Sequence, residues 1–66
     1  MVDWLRAEIK RLRLENGWTV ADLARKSGVD RSVISRFESG QRDIKIETLE
    51  RIGQALGQTV TLEDEQ

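Results

Sequence analysis

Four side chains within six residues have the chemistry to read a nucleic acid. Arg31, Ser32, Ser35 and Arg36 lie in the run DRSVISRFESG, residues 30–40. On a helix, Arg31 and Ser35 stand one turn apart, as do Ser32 and Arg36, so the four share one side. A guanidinium fork can donate two hydrogen bonds to the O6 and N7 of a guanine, which discriminates against the wrong base by about 1–3 kcal/mol. A serine hydroxyl can give or take one at a base edge or a phosphate. The bland alternative is a solvated helix face, which any surface helix needs. Two arginines beside two serines, with Ile34 and Phe37 as an apolar anchor, favour recognition. The chemistry predicted is non-covalent. With no His, Cys or Tyr in the chain, the usual general bases and nucleophiles are nearly all missing, and no thiolate metal site is available. The sequence therefore predicts no catalytic residue, no metal site, no cofactor and no enzyme.

The elements that must position these residues are legible around them. Thr19 to Gly40 reads as two short helices joined by a tight turn, with Leu23, Ala24, Val29, Ile34 and Phe37 as apolar positions. Gly28 falls where the backbone must turn between them, and glycine takes positive φ without a Cβ clash. Ala24 is small where two steeply crossing helices touch. The first of the pair spans about Val20–Ser27, with Thr19 as N-cap and Asp22 completing a weaker form of capping box. The second spans about Arg31–Ser39, with Asp30 as N-cap and Gly40 as its stop. Helix, glycine turn, helix is the helix-turn-helix arrangement, and the second helix of such a pair is the one that enters the major groove. Before it, residues 3–15 carry Leu5, Ile9 and Leu12 at i, i+4, i+7, an amphipathic helix with Asp3 as N-cap and Asn16-Gly17 as its stop. After it, about Ile46–Leu56 offers Ile46, Leu49, Ile52, Ala55 and Leu56 at helical spacing and completes the core.

Sixty-six residues make one small domain. The formal charge of −1 speaks mildly against a nucleic-acid partner, but its distribution does not. Residues 1–40 carry eight Lys/Arg and six Asp/Glu, whereas residues 41–66 carry three and six. No apolar run approaches the ~20 residues of a membrane span and no signal-peptide pattern opens the chain. The expectation is a soluble, cytoplasmic protein with no membrane partner.

Ile9, Leu12, Arg13, Gly17, Trp18, Thr19, Leu23, Ala24, Gly28, Val29, Ile34, Ser35, Phe37, Glu38 and Gly40 together carry a resemblance. At that spacing the chain resembles the Xre, or lambda-repressor-like, helix-turn-helix family. The likeness continues through the last helix to Leu56-Gly57. It implies that Arg13 pairs with Glu38 as a structural ion pair holding the first helix on the third. It implies base contacts from Arg31, Ser32, Ser35 and Arg36. It places phosphate contacts at Thr19 and Val33 and along the loop at Gln41, Arg42 and Lys45. Val33 stands where the family often has Ser or Thr, so its methyls could instead meet a thymine methyl or patch the edge of the core. Val20 stands where the family usually has Gln, which removes one expected phosphate contact. The proline often found near Ile44 is also absent.

Gln58-Thr59-Val60-Thr61-Leu62 alternates polar and apolar residues and is rich in β-branched ones, a strand signal found nowhere else in the chain. A lone strand needs a partner for its backbone groups. The economical partner is a second copy, which makes Thr59, Val60, Thr61 and Leu62 the dimerisation residues. Recognition helices ~34 Å apart would then read a palindrome. The fold expected is all-α, with four to five short helices, a central helix-turn-helix and a short C-terminal β-strand. Residues 1–57 form the DNA-binding domain, and residues 58–66 the strand and an acidic tail. The final Leu-Gly-x-Thr-Val-Thr-Leu also resembles the HipB-type antitoxins. That likeness implies a dimeric, autoregulatory repressor with double-stranded DNA, a second copy of itself and a toxin protein as partners. The alternative is a protein-interaction module that neutralises such a toxin, with DNA binding secondary.

Overall fold

The computed structural model describes residues 3–57. It contains four helices: α1 (Asp3–Glu15), α2 (Val20–Ser27), α3 (Arg31–Glu38) and α4 (Ile46–Ala55). The fold is all-α, and there is no strand among the described residues. The strand expected at Thr59–Leu62, and the pairing expected of it, lie outside them.

Local chemistry accounts for the helix ends. At the start of α2 the Asp22 N–H donates to Thr19 Oγ1 (3.0 Å) and the Thr19 N–H donates to Asp22 Oδ2 (2.9 Å). Both halves of the capping box are made, so Asp serves here as well as the more usual Glu. The α2 helix ends on Gly28, at φ 74°, whose N–H donates to the Ala24 carbonyl at 2.9 Å. Any L side chain would be strained at that φ. The exit of α3 is a double closure. Gly40, at φ 84°, donates to the Phe37 carbonyl (3.1 Å) and Gln41 to the Arg36 carbonyl (2.8 Å), which satisfies two carbonyls that the helix leaves open.

The core is built from Ile9 of α1, Leu23 of α2, Ile34 and Phe37 of α3, and Leu49 and Ile52 of α4, joined by Val29, Ile44 and Leu56 from the connections. Leu23, Ile34, Phe37 and Ile52 are fully buried. Each such side chain contributes about 1.5–3 kcal/mol by leaving water. The α2 helix packs on both α3 and α4, and α1 packs on α3. Ile44 takes its place in this core although it sits in a loop. Val20, where a polar residue was expected, is half-buried against the same cluster.

Two arginines of α1 bind it to α3. Arg13 is 7% exposed and meets Glu38 in a fork-on-fork pair, Nε to Oε2 at 2.9 Å and Nη2 to Oε1 at 2.8 Å. Its remaining nitrogen, Nη1, donates to the Trp18 carbonyl at 2.9 Å. Glu38 holds the Arg13 guanidinium charged by raising its pKa. Arg6, one helical heptad earlier, lies over the Phe37 ring at 4.8 Å. It donates to the carbonyls of Phe37 (2.6 Å) and Arg42 (2.8 Å) and to Asp43 Oδ1 (2.5 Å). The two side chains fix both the side of α3 and the loop that leaves it.

Candidate nucleic-acid interface

The α3 helix separates anchor from reader by helical geometry alone. Ile34 and Phe37 have no exposed surface, while Arg31, Ser32, Ser35 and Arg36 are all exposed. Asp30 starts the helix, and its Oδ1 accepts from the Ser32 N–H (2.8 Å) and from the Ser32 hydroxyl (2.6 Å). Those two bonds keep the Asp30 carboxyl below its ordinary pKa, the hydroxyl contributing most. They also settle what Ser32 can do. Its proton is already given to Asp30, so outward it offers an acceptor and no donor. Ser35 and Arg36 have no side-chain partner among the described residues, and Arg31 makes no hydrogen bond or ion pair there, although its charge acts on the neighbouring Asp30. Neither guanidinium is tied by a hydrogen bond or ion pair within the described residues.

The residues assigned to phosphates are more scattered. The Thr19 hydroxyl oxygen accepts the Asp22 N–H, and the hydroxyl also bonds the Asp22 carboxylate, so Thr19 is engaged in its cap. Gln41 is exposed at the closure of α3, and Arg42 is exposed with Nε donating to the Asp43 carbonyl at 3.1 Å. Lys45 is exposed at the start of α4 and makes no capping bond. Val33 is half-buried against the core, so it has an apolar surface to offer and no donor. A cleft of about 320 Å³ between the α2–α3 turn, α3 and α4 brings Val33, Arg42 and Lys45 together. Thr19 and Gln41 do not line it. Among the described residues, no three Asp or Glu side chains gather as a metal ion would require.

Two contributors are not evident from residue type and spacing. Arg6 is one basic residue among several on α1, yet it lies a heptad before Arg13 on the stripe that faces α3. That i, i+7 relation to an arginine already in use was the available signal. Arg51 lines the same cleft as Arg42 and Lys45, from the second turn of α4. Its position beside the loop cations becomes visible only once the loop has folded back on the α2–α3 turn.

The helix-turn-helix family model matches residues 9–62. Antitoxin HipB of Escherichia coli K12 is 38% identical over 56 residues, 85% of this chain and 64% of that protein. Antitoxin HipB of Escherichia coli O6:H1 (strain CFT073) is also 38% identical over 56 residues, 85% of this chain and 60% of that protein. The chain thus spans less than two thirds of the length of these relatives. Among solved structures, the restriction-modification controller protein C.Esp1396I superposes with a TM-score of 0.79 at 42% identity, over 83% of this chain and 70% of that one. A structure described as MDT Protein gives 0.78 at 35% identity, over 96% and 89%. With the capped helix pair, the glycine turn and the Arg13–Glu38 clasp all inside the matched span, the chain belongs to the Xre-type helix-turn-helix family.

Proposed function

We propose that the chain is a sequence-specific double-stranded-DNA-binding repressor that acts as a homodimer on a palindromic operator, including one upstream of its own gene. Residues 1–57 bind the DNA, and residues 58–66 supply the dimer contact. The observation that carries this reading is the exposed side of α3, where the side chains of Arg31, Ser35 and Arg36 stand outside hydrogen bonds and ion pairs among the described residues, on a helix whose other side is fully anchored. The action is occlusion of a promoter, with no chemical step, in the cytoplasm. Base contacts come from Arg31, Ser32, Ser35 and Arg36, and phosphate contacts from Thr19, Gln41, Arg42 and Lys45, with Val33 packed beside them. Fluorescence anisotropy against duplex from upstream of the gene and against scrambled duplex, at about 50 and 200 mM salt, tests it. Binding that favours the upstream duplex and weakens steeply with salt is expected. Equal binding to both duplexes refutes sequence-specific repression.

A second reading rests on α1. Trp4 (68% exposed) and Leu14 (57% exposed) are the large hydrophobics left in solvent among the described residues, and they fall on the side of α1 opposite Ile9. They stand about 15 Å apart along the helix and form no continuous apolar patch, so the support for a protein partner comes chiefly from the antitoxin relatives. With antitoxins among the relatives, that partner is a toxin. Trp4→Ala with Leu14→Ala then abolishes toxin capture and leaves operator binding intact.

A further inference from the structure

The side chains of five exposed cations make no hydrogen bond or ion pair among the described residues: Lys10, Arg31, Arg36, Lys45 and Arg51. The DNA-binding reading uses Arg31, Arg36 and Lys45, and leaves Arg51 without a role. Arg51 is not idle for want of an ally, because Glu47 lies one turn before it. Glu at i and Arg at i+4 is the order that favours a surface pair. On α1, Arg11 takes that kind of option and pairs with both Glu8 and Glu15. Arg51 makes no such pair and instead lines the cleft with Arg42, Lys45 and Thr48. Asp30 also borders the cleft, but its carboxylate accepts from Ser32 and bridges to none of the three cations. The α4 helix opens at Lys45 without a side-chain cap, and Glu47 is the acidic residue of its first turn. Three cations and one hydroxyl therefore converge on a space that a single carboxylate does not neutralise.

We propose that this cleft takes a phosphate of the DNA backbone flanking each half-site, with Arg51 as its donor from the second turn of α4. The proposal rests on the DNA-binding reading, and the location supports the backbone as source. Asp30 and Val33 of the first turn of α3 form part of the lining, so a duplex seated on α3 passes its strand across the opening. A guanidinium fork and an ammonium suit the two non-bridging oxygens of a phosphodiester. The site reads no base, so its effect is on affinity and not on sequence preference.

The test uses the full chain with Arg51→Ala and Arg51→Lys in salt titrations against operator and scrambled duplex. Removing one phosphate contact per protomer lowers the slope of log K against log salt by about 0.9 for each protomer bound. Affinity for both duplexes falls by the same factor, so their ratio is unchanged, and Arg51→Lys keeps the parent slope. An Arg51→Ala chain with the parent's slope and affinity overturns the cleft alone. A parent chain that binds neither duplex overturns the DNA reading and the cleft with it.

Discussion

Glu38→Gln isolates the clasp between α1 and α3. The substitution keeps the side chain's size and removes its charge, leaving the Arg13 guanidinium in a site where it is 7% exposed. Arg13 then retains the Trp18 carbonyl, and of the two bonds to Glu38 at 2.9 and 2.8 Å only one has an acceptor left. An amide N–H also turns towards a cation. Breaking a buried pair from one side costs about 3–5 kcal/mol. A domain of this size has a total stability of only about 3–10 kcal/mol, from ~0.05–0.15 kcal/mol per residue. The variant should therefore lose a third of its stability or more. Urea titration by circular dichroism at 10 °C measures this, with a lowered midpoint and an unchanged slope as the expected outcome. The double variant Arg13→Met, Glu38→Leu should recover much of that stability, because it removes the uncompensated charge along with the pair. High salt should change the parent little, since a pair this buried is poorly screened. A Glu38→Gln chain within about 1 kcal/mol of the parent would refute the claim that the pair is buried and unrelieved.

Arg31→Ala with Arg36→Ala should erase the preference for operator over scrambled duplex, by about 1–3 kcal/mol for each guanine that is no longer read, while the urea midpoint stays near the parent's. Selectivity that survives both changes would remove α3 as the reader. Truncation after Gly57 should leave a folded chain that sediments largely as a monomer and binds the operator far more weakly; a truncated chain that stays dimeric would take residues 58–66 out of the dimer. Acid stability follows from the two helix-capping carboxylates. Asp22, through its bonds to Thr19, and Asp30, through its bonds to Ser32, both have pKa values lowered on folding. Their contribution is present above the unfolded value of about 4 and is lost as pH falls through the lower folded values. Melting temperature should thus be indifferent to these two groups between pH 7 and 5 and fall below pH 4. Asp22→Asn with Asp30→Asn should flatten that acid limb, and an unchanged limb would mean that the caps are not its source.

What could be read in the sequence is what depends on near neighbours. Thr19 and Asp22, Asp30 and Ser32, and Gly28 between two apolar positions act over a few residues, so type and spacing suffice to place α2, the turn and α3. The apolar periods of α1 and α4 are equally local. The burial of Ile44 was not legible, since a loop residue has no period to betray which way it faces. Nor was the difference between one arginine and another. Arg6, Arg11, Arg13 and Arg51 are the same letter on amphipathic helices, and only the folded chain sorts them. Arg6 and Arg13 clamp α3, Arg11 is paired along its own helix, and Arg51 stands uncompensated in a cleft.

That sorting answers the objection raised by an acidic total. The net charge of −1 counts every cation alike, whereas a duplex meets only those with no internal partner. Arg6, Arg11 and Arg13 are committed to carboxylates of the chain itself and Arg25 leans on Asp22 at 3.4 Å. Lys26 lies over the Trp18 ring at 4.9 Å. Of the five cations outside hydrogen bonds and ion pairs among the described residues, Arg31, Arg36, Lys45 and Arg51 all lie between the start of α3 and the second turn of α4. Among the acids of residues 1–40, Glu8, Glu15, Asp22 and Glu38 pair with arginines, while Asp30 accepts from Ser32 and feels the charge of Arg31. A chain acidic in sum thus keeps a strip of cations outside ion pairs from α3 to the second turn of α4, although Glu47 and Glu50 in the same stretch are exposed too. Because that strip is built from few charges, each should weigh heavily in binding, which is why single-residue salt slopes are the measurement suited to it.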